Sequence, residues 1–245
     1  LGQCLQSVEN SLSTLRFSDA AQTIYSFIWY EFCDWYLEFI KPIIYGEESA
    51  EKQATQIVLA QLLNRMMRIL HPFAPFISEE IYQKLPLRGE ACIVDTYPTV
   101  SSEKDWLKGG SEEFAFEMDV VISVISSLRN IRGENQIKPG QEIKAHLIPS
   151  EDQLQKILQA NKTAILRLAK LEVCDIGERS SLQKCAVSLL SIGEHKITVV
   201  VPLEGLVDFA EEMKRLEKTI EKQEKEKTGI LQRLNNPHFV QNAPE

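Results

Sequence analysis

The chain has 245 residues, 44% hydrophobic and 25% charged, the mix of a globular rather than a disordered protein, which allows one large domain or two modest ones plus an appendage. Its net charge of −8 excludes recognition of nucleic acid by bulk charge, so any RNA contact has to come from a local basic stripe. The longest apolar runs, such as residues 197–203, are too short to cross a membrane.

Leu1, Leu5, Val8, Leu12 and Leu15 recur at steps of four and three, which predicts one face of a helix. Ser18 and Asp19 predict the start of a second helix, running to about residue 40 and stopping near Lys41-Pro42. An α-helical period turns Ala21, Ile24, Ile28, Phe32, Trp35 and Phe39 inward. It gives the helix a second apolar side at Trp29, Cys33, Tyr36 and Ile40, as suits the middle of a bundle. The same period puts Phe27 on the polar side with Asp34 and Glu38. A third helix is expected over residues 49–70, buried through Ile57, Leu59, Leu62, Leu63, Met66, Ile69 and Leu70. His71-Pro72 and Pro75 break it, and Ser78-Glu79-Glu80 restarts a short helix to Leu85. Residues 86–110 read as a connector punctuated by Pro98 and Gly109-Gly110, and a helix follows over about 111–131.

The period then changes. Residues 142–148, 186–191 and 195–201 have strand character, with helical stretches near 152–171. From Leu206 a heptad-like seam runs through Phe209, Met213, Leu216, Ile220, Ile230 and Leu234, interrupted by Gln223 and Lys227 and stopped at Asn235-Asn236-Pro237. That arm reaches roughly 45 Å. The expected fold is mostly α, of the α+β class: a helical bundle at 1–133, a small α/β module at 134–205 and one long C-terminal helix, half of an antiparallel coiled coil, at 206–245.

The five cysteines (Cys4, Cys33, Cys92, Cys174 and Cys185) are scattered and odd in number, the pattern of reduced cytoplasmic thiols rather than a disulfide framework. No glycine-rich phosphate loop, catalytic triad or metal-ligand spacing stands out. His71, His146, His195 and His238 read as structural or solvated. No catalytic residue, metal or cofactor is assigned. No initiator Met or signal peptide is present and Leu1 already sits in a helical pattern, so the chain is expected to be a piece of something longer.

Three stretches carry a resemblance. They are Ile28-Trp29-Tyr30-Glu31-Phe32-Cys33-Asp34-Trp35-Tyr36-Leu37-Glu38 with Lys41-Pro42, then Leu70-His71-Pro72-Phe73-Ala74-Pro75-Phe76-Ile77-Ser78-Glu79-Glu80, then Pro202-Leu203-Glu204-Gly205-Leu206 with the arm ending Asn236-Pro237-His238-Phe239. Together they resemble the C-terminal part of a valyl-tRNA synthetase. The second motif is shared with the isoleucyl and leucyl enzymes. The resemblance implies an anticodon-binding bundle and a tRNA-binding arm. It also implies a parent that joins valine to tRNA(Val) with ATP and Mg²⁺, while the family's two activation motifs and its editing domain are absent here.

Candidate RNA contacts follow from exposure and charge. Phe27, with Arg16 and Lys41 nearby in sequence, is the candidate RNA-facing aromatic, with Phe32, Trp35 and Phe39 reading as core. Arg129 and Arg132 share a helix face and suit successive phosphates; helix C-terminal placement or a domain-interface bridge is the plainer alternative. Arg65 and Arg68 read as a solvated face. On the arm, Arg215, Lys218, Lys222 and Lys225 form a basic stripe opposite the seam, the alternative being a solvated face with pairs such as Glu221–Lys225. Two rivals remain, the same region of an isoleucyl or leucyl enzyme and a coiled-coil scaffold without RNA affinity. The unpaired seam from Leu206 to Leu234 further predicts self-association, or poor order beyond about residue 225.

Overall fold

The computed structural model describes residues 1–108, 112–177, 184–206 and 209–234. The chain divides into two compact units, Leu1–Ile122 and Ser123–Glu245.

In the first unit, α1 (Gly2–Ser13) buries Cys4, Leu5 and Val8. Leu15 falls outside the expected stripe: its left-handed backbone (φ 59°) turns the chain, and its side chain is exposed. One continuous rod follows, made of α2 (Phe17–Ser26), a π-helical stretch (Phe27–Tyr36) and α3 (Leu37–Ile44). Asp19 sits in the first turn of α2, where the helix dipole favours it, and pairs with Arg16. The rod continues one turn past the expected stop, with Pro42 inside α3. Proline removes one donor near a helix end that has few bonds left to lose.

The π-helical stretch overturns the expected phase. Its hydrogen bonds span five residues instead of four, so Phe27 and Phe32, five apart, fall on one face. Ala20, Ile24, Phe27, Phe32 and Ile40 are the buried residues of the rod. Phe27 is therefore core, only 7% exposed, and not the polar-side aromatic that an α-helical count implies. Trp29 and Tyr30, 53% and 54% exposed, take the open side.

Helix α4 (Ala50–Leu70) begins where predicted, with the Ser49 hydroxyl accepting from Lys52 N at 3.1 Å. Leu62, Met66, Met67 and Ile69 pack with α1 and the rod into one core. Pro75 opens α5 (Pro75–Tyr82) at a position where its missing donor costs nothing. The connector beyond is pinned tightly. Asn64 donates to Leu87 O at 3.0 Å, the buried Tyr82 hydroxyl accepts from Gly89 N at 2.6 Å, and Glu9 accepts from Val100 N at 2.6 Å. Arg65 and Arg68 are not a solvated face. Their side chains are 15% and 11% exposed; Arg65 Nε meets Glu103 Oε2 at 2.6 Å, and Arg68 reaches Glu103 and the Thr96 carbonyl. The Arg65 guanidinium also lies 4.5 Å from the Trp106 ring centroid. These charges tie the connector, including the short α6 (Lys104–Leu107), to α4. Helix α7 (Glu112–Glu134) closes the unit and continues into the next.

The second unit holds a four-stranded mixed sheet in the order β2-β1-β4-β3. The strands are β1 (Ile143–Pro149), β2 (Leu171–Ile176), β3 (Cys185–Ile192) and β4 (His195–Pro202). β1 runs parallel to β2 through the crossover helices α8 (Asp152–Ala160) and α9 (Lys162–Ala169), and antiparallel to β4. Alternation buries Ile143, Ala145 and Leu147 on β1 opposite Ile197, Val199 and Val201 on β4. Strand β2 is not among the expected strands and begins at the end of the expected helical stretch: Lys170 takes a left-handed backbone (φ 56°) that ends α9 and releases the chain into the sheet. Helix α10 (Phe209–Leu234) follows. Among the described residues no helix is long and apolar enough to cross a membrane.

Two outcomes test this packing. Phe27→Ala is expected to cost about 3–5 kcal/mol in urea unfolding and Trp29→Ala under about 1 kcal/mol; an α-helical phase predicts the reverse order. Glu103→Gln, which leaves the buried Arg65 without its anion and Arg68 with Asp95 alone at 3.8 Å, is expected to cost about 3 kcal/mol, with the loss persisting at high salt.

Candidate nucleic-acid interface

The rod separates the candidates that were close in sequence. Arg16 stands at its start, exposed and paired with Asp19, and Lys41 stands near its end, exposed and paired with Glu38. A helical rise over the intervening residues puts them about 35 Å apart. Phe27 lies in the core beneath. These three residues do not make one site. Tyr25, Trp29 and Tyr30 form an exposed aromatic cluster on the rod. Tyr25 stacks on Trp29 with ring centroids 6.2 Å apart and planes 4° off parallel, and it meets Tyr30 edge-on. Beside the stack is an apolar slot of about 280 Å³ lined by Ile24, Ile28, Leu70 and Phe73. The π-helical turn exposes Trp29 and Tyr30, and no α-period reading of the sequence signals it.

Arg129 and Arg132 do come together. Arg129 donates through Nε and Nη2 to the Leu168 carbonyl at 3.2 and 3.1 Å. Arg132, 8% exposed, donates to three carbonyls: Lys170 O at 3.3 Å, Lys138 O at 3.0 Å and Gln141 O at 2.7 Å. Burial lowers its pKa from the ordinary arginine value. Both residues brace the turn after α7 against the end of α9, and both border an open concavity of about 610 Å³ together with Lys138 and Lys170. The last two escaped the sequence reading. They are 32 positions apart and only the pairing of β1 with β2 brings them near each other.

On α10, Lys218, Lys222 and Lys225 are exposed, and Lys225 pairs with Glu221 at 2.6 Å. The side chain of Arg215, the helix stop at Asn235-Asn236-Pro237 and the motif around His238 lie outside the described residues. Met213, Ile220, Ile230 and Leu231, along the apolar seam, are all exposed.

His71, Glu79 and Cys92 form one further cluster, their ligand-type atoms within 4.8 Å of one another. Glu79 accepts from Cys92 N at 2.9 Å and from Gln83 Nε2 at 2.7 Å, and His71 Nδ1 contacts the Ser78 hydroxyl at 2.8 Å. Burial and then the Glu79 charge push the Cys92 thiol up to about 11, so it is held protonated, the opposite of a ligating thiolate. As it stands the cluster locks a turn. In the second unit, His195 meets Glu151 at 3.1 Å and His146 meets Asp175 at 3.4 Å.

Comparison with known proteins agrees with this architecture. The family described as the anticodon-binding domain of tRNA ligase matches residues 1–147, and the one described as the valyl tRNA synthetase tRNA binding arm matches residues 208–245. Over its whole length the chain is 50% identical to the valine–tRNA ligase of Bdellovibrio bacteriovorus. It is 39% identical to that of Geobacter sulfurreducens and 34% identical to that of Bacillus subtilis. It spans 27% of the length of each. A helical first unit and a match across more than half of the residues lead to one conclusion: the chain belongs to the anticodon-binding domain family of tRNA ligases.

Proposed function

We propose that this chain is the tRNA-gripping region of a valine–tRNA ligase, holding tRNA(Val) while another part of the parent polypeptide joins valine to it. The observation that carries this reading is the presence in one chain of an anticodon-binding match at its start and a tRNA-binding-arm match at its end. In this reading residues 1–133 serve as the bundle, 134–205 as the α/β module and 206–245 as the arm.

The grip is electrostatic with local stacking. Lys218, Lys222 and Lys225 follow one another at steps of four and three, so they share a face of α10 that can track a phosphate backbone, continued by Arg215. The exposed Tyr25–Trp29–Tyr30 surface takes the stacking role in place of Phe27. ATP and Mg²⁺ serve the parent's catalytic part. Magnesium takes oxygen ligands, and the imidazole and thiol of His71 and Cys92 are the wrong donors for it, so no step is assigned to Mg-ATP here. Five free cysteines suit the cytoplasm, where the parent would work. The exposed seam of Met213, Ile220, Ile230 and Leu231 supports pairing of the arm with a second copy of itself when the chain is isolated.

Filter binding across a salt series tests the grip. The chain is expected to prefer tRNA(Val) to tRNA(Ile), and Lys218→Ala/Lys222→Ala/Lys225→Ala to flatten the slope of log K against log salt by about three. Preference for the isoleucine or leucine tRNA, or binding to none, overturns the assignment. Sedimentation equilibrium of the isolated chain is expected to show a concentration-dependent dimer that Ile220→Lys/Ile230→Lys converts to monomer; a strictly monomeric unsubstituted chain would sink the pairing.

A further inference from the structure

The concavity at the end of α7 combines features that nothing in the arm or the aromatic surface shares. Four cationic residues border it (Arg129, Arg132, Lys138 and Lys170) and no carboxylate does, in a chain whose net charge is −8. Neutral small or apolar residues such as Gly133, Pro139 and Leu168 complete the wall, without an aromatic ring among them.

Arg132 is the unusual member. A guanidinium removed from water is ordinarily neutralised by a carboxylate, as Arg65 and Arg68 are by Glu103 in the first unit. Arg132 is 92% buried by the same measure, yet its acceptors are three backbone carbonyls, and among the described residues no carboxylate pairs with it. Carbonyl dipoles take three of its five N–H hydrogens but leave its unit charge uncancelled, and a low-dielectric setting screens that charge poorly. The same three bonds hold Lys138, Gln141 and Lys170 in a fixed arrangement around it. Lys138 is exposed, and its ammonium has no partner among the described residues. The Lys170 ammonium is steadied by Pro139 O at 2.8 Å, with two donors left over. Two fixed or free ammonium groups therefore sit on a rim above a buried, uncancelled positive charge.

We propose that this concavity is a seat for the phosphodiester backbone of the bound RNA, in which Lys138 and Lys170 contact phosphate oxygens and Arg132 is a positioning residue that fixes both rims. The proposal rests on the tRNA-binding reading above and adds a contact region on the α/β module, between the bundle and the arm in sequence. The absence of rings from the wall favours backbone over base, and the open shape favours a strand passing across it over an enclosed small anion. Such a contact raises affinity for any tRNA without helping to choose among them.

The test uses Lys138→Gln/Lys170→Gln in the full 245-residue chain, because Arg132 variants would unfold the turn they were meant to probe. Both substituted side chains lie on the rim, and the bonds Arg132 makes are to backbone oxygens that the variant keeps. Salt-series binding is expected to show the slope reduced by about one per lysine, with affinity for tRNA(Val) and tRNA(Ile) falling by the same factor. Lys138→Arg/Lys170→Arg is expected to restore the slope. Inorganic phosphate and ATP, titrated as separate probes, are expected to bind at least a hundredfold more weakly than tRNA. An unchanged slope in the Gln variant, while the arm variant still lowers it, overturns this proposal and leaves the tRNA reading standing. Tight binding of phosphate or ATP that the Gln variant abolishes overturns it in favour of a small-anion site. Failure of the unsubstituted chain to bind any tRNA overturns both.

Discussion

A guanidinium group taken out of water demands acceptors in fixed directions, and both units of this chain gather acceptors around such groups, with Arg68 Nε left over in the first. In the first unit Arg65 and Arg68 converge on Glu103, and this convergence turns an unstructured-looking connector into a fixed strap across α4. In the second, Arg132 gathers three carbonyls from a loop and a helix end that are distant in sequence. Removing water makes each bond costly to lose, because an unmatched buried donor has no solvent to fall back on. The difference between the two sites lies in the counter-charge. Where a carboxylate is present the group is mechanical, and where it is missing the charge remains to act on something outside the protein.

That contrast suggests how, in the proposed reading, an acidic protein would hold an acidic polymer. The negative total is spread over helix faces, and much of it is spent in short-range pairs such as Lys41–Glu38, Lys84–Glu80 and Lys225–Glu221. Uncompensated positive charge is confined to particular places. A polyanion meets attraction only there, and repulsion elsewhere disfavours misplaced encounters. Net charge was a poor guide to ligand class for this reason, since it averages over a surface that is anything but uniform.

Much of the architecture could be read from residues alone where one local rule governed the outcome. Ser49 capped its helix, and residues 195–201 gave a strand with Ile197, Val199, Val200 and Val201 inside, whereas Pro75, expected as a breaker ahead of a start at Ser78, opens the next helix itself. The failures share a cause: each depended on something the local rule assumes away. The inward stripe of the rod was counted with an α period, and Phe27 was placed on the wrong side because the backbone there winds differently. Strand β2 was hidden by the helix running into it, since a single left-handed residue, Lys170, made the switch. Arg65 and Arg68 looked solvated because their partner is 38 and 35 positions away. The concavity could not be anticipated, as Lys138 and Lys170 become neighbours only through strand pairing. Long-range charge contacts and backbone irregularities leave little trace in spacing.

The wide turn between Phe27 and Tyr36 has one more consequence. A coil that already carries surplus residues per turn can give one up and relax to the ordinary α-helix, or accept one more, without moving its two anchored ends. The rod thus contains a length buffer at its centre, flanked by stretches whose contacts with α1 and α4 fix their rotation. Sequence changes that add or drop a single residue should be absorbed inside this window and nowhere else along the rod, because an extra residue in either flank would swivel its whole buried face into water.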